Sequence, residues 1–362
     1  MPLLSCVTHL NFTAPESPKI AGGVLLMSIV LCRGGLLGFL VALSLCGTLL
    51  VHPPSLAEQP DPKRPKPATV RADKPLRIAF ITCSVEGKFF EPVKRGMNDA
   101  AKLLGVTCEF KGTRGVNLDS QATMVRAAVA EGYDGIALNI VDPNAFDTAV
   151  QEAIDAGVPV VAFNVDDHNS PNARLAAVNQ RLYDAGRSLA EHVAAEIPEN
   201  AHVLMTMHDK GVSALEDRLH GLQDVLKDKP VRWTIVITGN DSAKGAAVIT
   251  DALQQHPDIR IVLSTGQADT ESAGLAIEKN FSDNGYWSAG FDLSNETLRL
   301  IQAGHIHCTV DQQPYVQGFY PVVQLTHYLR YGIHPSDIDA GAAIINRDNV
   351  KQVLELKREN YR

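Results

Sequence analysis

The chain has 362 residues, of which 45% are hydrophobic, 20% charged and 6% aromatic. It can bury one large core or two smaller ones, and collagen-like, coiled-coil and wholly disordered chains are excluded. Forty-one acidic against 33 basic residues leave a formal net charge of −8, so no overall basic field exists to hold phosphate backbones and a nucleic-acid partner is not expected.

The first sixty residues stand apart from the globule. Gly34 to Val51 is nearly continuous apolar sequence behind the single basic Arg33, which reads as an export signal. Leu36 to Val51 is short for a spanning helix of ~20 residues. Ser55-Leu56-Ala57 follows in a small-x-small pattern, predicting cleavage after Ala57 and a periplasmic protein. An uncleaved anchor ranks second and leaves the globule in the same compartment. A lipoprotein acylated at Cys46 is disfavoured, because Leu45 is too large for the preceding position. Met27 offers an alternative start. Residues 58–75 are rich in Pro and charge without apolar periodicity and read as a solvated linker.

From Leu76 onward β-rich apolar runs alternate with amphipathic segments. The predicted elements are strand 77–82, helix 92–104 closed by Gly105, strand 106–110, helix 119–130, strand 135–139, helix 144–156 closed by Gly157, and strand 158–164. A second series repeats the grammar: helix 182–196, strand 201–207, helix 213–226, strand 234–238, helix 244–256, strand 259–264, helix 270–280, strand 286–291 and helix 296–303. The four strands of the first series are expected to be apolar on both faces, as in buried parallel sheets. The fold class is α/β, with two Rossmann-like lobes. Ligands of such sheets sit off the carboxyl ends of the strands, where strand order reverses.

The residues after those strands are mostly amides and carboxylates: Glu86 to Phe90, Asn164 to His168, His208 to Glu216, Gln267 to Asp269, Asp292 and Asp311-Gln312-Gln313. Such side chains accept and donate in fixed directions and match several hydroxyls at once. An aromatic face such as Phe89 or Phe90 covers the C–H patch of a sugar ring. This is polyol-recognition chemistry.

The segments EPVKRGMNDAAKLLGV after Phe89-Phe90, GYDGIALNIVDPNAFDTAVQEAIDAGVPVVAFN, Gly290-Phe291-Asp292 with ETLRLIQAG, and TVDQQPYVQGFYPV together resemble a family. It is the type I periplasmic substrate-binding proteins of simple-sugar ABC importers, in the ribose- and xylose-binding group. The resemblance covers residues 75–350 and implies two lobes joined by three crossovers, near Val178, Gln312 and Gly341. One lobe would be 76–178 plus 313–340, the other 179–312 plus 341–362. It further implies an aromatic platform at Phe89 and Phe90, and Asn164 where the family usually has a hydroxyl-binding Asp. Glu216, with Arg218 close by, falls where many members place an Arg. Gln267 approximates a polar contact of the second lobe, and Asp292 and Gln312 match their counterparts. A family aromatic is replaced near Asn240. The implied partners are a small sugar or polyol and an inner-membrane ABC permease with its ATPase, and the expected state is a monomer without a cofactor.

Other readings of the same residues stand beside these. Phe89-Phe90 suits a core, Asp292 suits a cap for the helix after Ser294, Asn164 a turn, Glu216 an exposed helix face and Gln312 a hinge. Asp166-Asp167-His168 cannot converge on one metal ion unaided, although Asp166 alone can reach the cleft. No HExxH, GxGxxG, Walker-type loop or GxSxG occurs, so no enzyme and no metal site is expected. Cys83, Cys108 and Cys308 lack zinc spacing and read as small buried hydrophobes in strands, with a Cys83–Cys108 bridge as the alternative. A sugar-responsive repressor would need a basic helix-turn-helix where the export signal lies. A receptor partner of a histidine kinase or chemoreceptor, or a binder of a furanose-like signalling molecule, is the alternative to transport.

Overall fold

The computed structural model describes residues 75–362 apart from 84, 86–87, 143, 167–171 and 283. The export signal, Ala57, Cys6, Cys32, Cys46 and the linker up to residue 74 lie outside the described residues, as do Glu86, Asp167 and His168.

The first series runs β1 (Arg77–Thr82), α1 (Glu91–Leu104), β2 (Thr107–Gly112), α2 (Leu118–Ala130), β3 (Gly135–Leu138), α3 (Asp147–Asp155), β4 (Val160–Asn164) and β5 (Ala176–Asn179). The second runs α4 (Leu182–Val193), β6 (His202–Met207), α5 (Ser213–Leu226), β7 (Arg232–Ile237), α6 (Ser242–Gln255), β8 (Ile259–Ser264), α7 (Gln267–Asn280), β9 (Trp287–Phe291), α8 (Asn295–Ala303) and β10 (Ile306–Asp311). The chain then returns through α9 (Pro314–Tyr331) and β11 (Ile338–Asp339) before β12 (Ala343–Asn346) and α10 (Val350–Arg358).

The strands form two six-stranded sheets, ordered β11-β5-β4-β3-β1-β2 and β12-β10-β9-β8-β6-β7. Every pairing is parallel except β10 with β12. The two orders are the same doubly wound pattern, reversing between β1 and β3 in one sheet and between β6 and β8 in the other, which puts a ligand-binding crevice at the carboxyl ends of those strands. The chain leaves one sheet for the other three times, after β5, after β10 and after β11.

Local chemistry accounts for several element ends. Gly105 ends α1 at φ 63° and Gly304 ends α8 at φ 91°, the left-handed cap that glycine adopts without a Cβ penalty. Asn117 and Asp241 accept backbone N–H groups at the starts of α2 and α6. The helix expected from Asn144 begins at Asp147 instead, because Asp142 Oδ1 accepts both the Asn144 and Ala145 N–H groups at 2.9 Å and holds a turn there. The expectation of strands apolar on both faces fails for β2, and β7 in the second sheet is no more buried. Both lie at sheet edges with one side open to solvent, and their residues are largely half-buried or exposed.

Cys83 follows β1 rather than lying in it, and it and Cys108 are half-buried free thiols, while Cys308 is buried. The Cys83–Cys108 bridge is not formed. Burial pushes the Cys83 thiol up to about 11 and those of Cys108 and Cys308 up to about 12, so none carries thiolate near neutral pH.

Among the helix pairs outside the sheets, α1 against α9 and α4 against α5 pack most extensively. Each of these two pairs meets backbone to backbone at glycines. A Cβ on Gly318 would lie 1.9 Å from the Val93 carbonyl oxygen, and one on Gly96 would lie 2.1 Å from that of Tyr315. Gly186 and Gly221 stand 2.2 Å, on the same measure, from the carbonyls of Arg218 and Tyr183. Gly318→Ala is expected to cost about 1–3 kcal/mol by forcing α1 and α9 apart. Gly115→Ala, where nothing lies within 4 Å, should leave the urea midpoint unchanged.

Candidate functional site

The carboxyl ends of the central strands carry the polar residues that matter, and the backbone there is held in sparsely populated conformations. Asn164 ends β4 at φ 65°, Asp292 follows β9 at φ 72°, and Gln313 follows β10 at φ 50°. For residues other than glycine such conformations cost of order 1–3 kcal/mol and persist only where surrounding contacts over-determine them. Here the Asp292 N–H donates to the Val310 carbonyl at 2.8 Å. Gly290 is required two residues earlier, since a Cβ would sit 2.2 Å from Thr270 Oγ1, the atom that accepts the Phe291 N–H at 2.9 Å.

A continuous chain of buried side chains links these ends. Asn139 Nδ2 donates to Asn164 Oδ1 at 3.0 Å, and Asn164 Nδ2 donates to Gln317 Oε1 at 3.0 Å and Gln312 Oε1 at 3.2 Å. Gln312 Nε2 donates to Asp292 Oδ1 at 2.6 Å, and Arg218 Nη1 approaches Asp292 Oδ2 at 3.5 Å. Arg218 also donates to Gln180 Oε1 at 2.8 and 3.2 Å and to the Thr265 carbonyl at 2.9 Å, with its guanidinium 4.3 Å over the Phe291 ring. Gln180 Nε2 donates to the Gly341 carbonyl at 2.8 Å. Gln180, Gln312 and Gly341 lie on the three passages between the sheets, so all three crossovers are tied into one network.

The sequence-derived residues divide as follows. Asn164, Arg218, Asp292 and Gln312 are joined in this network. Asp292 does not cap α8, because Ser294 does so by accepting the Thr297 N–H. Phe89 is half-buried and lines a pocket with Asp292, Gln312, Lys357 and Arg362. Phe90 departs from the expectation. It is 5% exposed and sits in the core beside Phe110 and Phe163, with ring centroids at 5.8 and 6.4 Å. It therefore supports Phe89 edge-on at 5.1 Å and does not offer a face. Gln267 is half-buried and donates to the Leu293 carbonyl at 3.0 Å, next to Asp292.

Two further expectations are corrected. Glu216 turns away from the network and accepts the Gly211 N–H at 3.0 Å in the loop before α5. The helix register gives the inward position to Arg218, which is 2% exposed. Asp166 is engaged by Arg174 in a two-point pair, Nε to Oδ1 at 2.6 Å and Nη2 to Oδ2, with only 1% of its side chain exposed. It braces its own lobe.

Sequence reasoning missed Gln180, Gln317, Lys357 and Arg362. Gln180 follows β5, a four-residue strand with too little periodicity to read. Lys357 lies on a helix whose pattern is that of any solvated face. Arg362 Nη1 pairs with Asp311 Oδ2 at 2.7 Å, and neighbouring Tyr361 receives the Arg95 guanidinium over its ring at 5.0 Å and packs 5.2 Å from Tyr315. Burial raises the Asp311 carboxyl, partly opposed by Arg362. Burial likewise lowers the Lys357 amine, opposed by Asp311 and Asp292.

His208 pairs not with adjacent Asp209 but with Asp269, Nδ1 to Oδ1 at 2.9 Å. Asp269 is fully buried, and its Oδ2 accepts the Thr265 N–H at 2.8 Å and the Thr206 hydroxyl at 3.1 Å. Burial disfavours the charged ring. The Asp269 hydrogen bond and the charges of Asp269, Asp292 and Asp209 outweigh it, so the His208 pKa is raised above 6.5.

With both doubly wound sheets and this set of strand-end residues in place, comparison with known proteins gives a consistent answer. The family model described as "Periplasmic binding protein domain" matches residues 78–332. The chain belongs to that family. Its fold is that of the type I members. It is 30% identical to the xylose/arabinose-binding protein of Sulfolobus acidocaldarius, over 78% of this chain and 74% of that one. It is 26% identical to the ribose import binding protein of Bacillus subtilis, over 71% and 83% respectively. A solved carbohydrate transporter protein of Acidothermus cellulolyticus in complex with myo-inositol superposes with a TM-score of 0.71 at 27% identity, covering 80% of this chain and 100% of that one.

Two outcomes follow for this periplasmic binding protein. Gln312→Leu leaves Asp292 Oδ1 and one Asn164 contact without a partner and should cost about 1–3 kcal/mol per stranded group, read from urea melts. The raised His208 pKa means that the folded state holds its proton more tightly than the unfolded chain. The resulting stability is complete below pH 6.5 and is lost as pH rises through the folded value. Melting temperatures measured across that range should show this decline in the native protein and lack it in His208→Gln.

Proposed function

We propose that this protein captures a small sugar or polyol between its two lobes and delivers it to an inner-membrane ABC permease without transforming it. The lobes are 76–178 plus 313–340 and 179–312 plus 341–362. The observation that carries the reading is the hydrogen-bonded chain from Asn139 and Asn164 through Gln312 to Asp292 and Arg218. It sets acceptors and donors from both sheets around one crevice, with the Phe89 ring at its side. Sugar hydroxyls both donate and accept, so a guest can exchange with these side chain contacts one for one. A hydroxyl that is missing or inverted leaves a buried group unpaired, at about 1–3 kcal/mol each. The names of the relatives, which include xylose/arabinose and ribose binding, support the same class of ligand.

Binding works by closure. Guest contacts made from both lobes favour the closed form over the open one, and the crossovers at Gln180, Gln312 and Gly341 absorb the rotation. The permease then meets a surface that exists only when the lobes are together. The site of action is outside the cytoplasm, in keeping with the family, and the protein acts as a monomer.

The test is a thermal-shift panel of pentoses, hexoses, deoxysugars and cyclitols on the purified protein. A true ligand at a hundredfold excess over its dissociation constant adds about 2.7 kcal/mol, which for a chain of this size raises the melting point by roughly 4 °C. Asp292→Ala and Gln312→Ala should abolish the response, and Glu216→Ala should keep it. A panel in which no compound responds, or a response retained in both Asp292→Ala and Gln312→Ala, would overturn the assignment.

A further inference from the structure

At the opposite end of the second sheet from the cleft, where β6 and β8 begin, three side chains of metal-ligating type converge. His202 opens β6, His256 follows α6, and Asp258 precedes β8. We propose that His202, His256 and Asp258 form a binding site for a divalent transition-metal ion such as Zn2+. One ligand atom from each lies within 4.8 Å of the other two. Tetrahedral zinc with bonds of ~2.0–2.1 Å needs ligand atoms ~3.3 Å apart, so small rotations of a half-buried His256 and an exposed Asp258 close the site.

The surroundings orient the ligands as a metal would require. His202 Nε2 is 2.9 Å from Thr234 Oγ1, while Nδ1 faces Asp258 Oδ2 at 3.0 Å. Without an ion, Nδ1–H donates to that carboxylate; a bound ion takes the place of this proton and leaves Nε2–H to donate to the threonine oxygen, the outer hydrogen bond that fixes the tautomer of a ligating histidine. The His256 ring stands 5.4 Å from that of His202 at 70°. His256 and Asp258 share a short turn, closed by the Ile259 N–H donating to the His256 carbonyl at 2.9 Å. Two imidazoles and one carboxylate are a borderline N/O set that favours zinc and leaves a fourth position for water.

No motif marks the site in sequence, because His202 and Asp258 are 56 residues apart and meet only through the parallel pairing of β6 with β8, in which His202 stands beside Ile259. A resident competitor is present. The Arg232 guanidinium lies 2.5 Å from Asp258 Oδ2, and a metal ion must displace it. A bound ion would tie the starts of β6 and β8 together at the base of the lobe, independently of the cleft.

The experiment is calorimetric titration of tag-free full-length protein with zinc chloride, paired with melting curves. One saturable ion per chain with micromolar affinity and a raised melting point is expected. His256→Ala and Asp258→Asn should each abolish both effects while melting cooperatively without metal. Thr234→Val should weaken binding about tenfold, and Arg232→Gln should tighten it. Absence of saturable binding in the native protein, or binding unchanged in both His256→Ala and Asp258→Asn, would overturn the proposal.

Discussion

The cleft depends on one contact, the 2.6 Å hydrogen bond from Gln312 to Asp292. A carboxylate this deeply buried is costly unless charge and hydrogen bonds meet it. Arg218 supplies the charge and Gln312 the bond. Gln312 also sits on the passage from one sheet to the other and is bonded to Asn164 at the end of β4. The same amide therefore satisfies the acid of one lobe, touches the strand end of the other and marks the place where the chain must bend. Under the proposed function, a guest has to replace what these groups already give one another, which would make recognition a comparison of hydrogen-bond geometry more than a gain of contact area.

The repetition of one strand order in both sheets explains why this contact can exist. Each reversal of strand order opens a crevice at the carboxyl ends of its strands, and the crossovers after β5, β10 and β11 bring polar residues of the connecting segments to that same end. Gln180, Gln312 and Gly341 are thus both connections and members of the polar network.

Much of this was legible in the chain. β1, α5 and β8 have the limits that apolar periodicity predicts, and reading the polar residues at strand ends led to Asn164, Asp292 and Gln312, which the structure joins in one network. What was not legible has physical causes. Two consecutive phenylalanines look alike in sequence, and only the packing of Phe90 against Phe110 and Phe163 decides which ring is core. Glu216 and Arg218 are two residues apart on α5, and helix rotation alone sends one outward and the other to Asp292. Lys357 and Arg362 carry no local pattern, since their neighbours come from β10, some fifty residues earlier. The start of α7 at Gln267 was hidden by the polar character of its first turn, which places Asp269 under His208.

The glycine contacts between α1 and α9 and between α4 and α5 have a mechanical consequence. Where two helices touch main chain to main chain, no layer of pliable side chains remains between them to compress or slide. Each of these helix pairs is therefore held as one unit, with no slack at the glycine contacts for one helix to shift against the other.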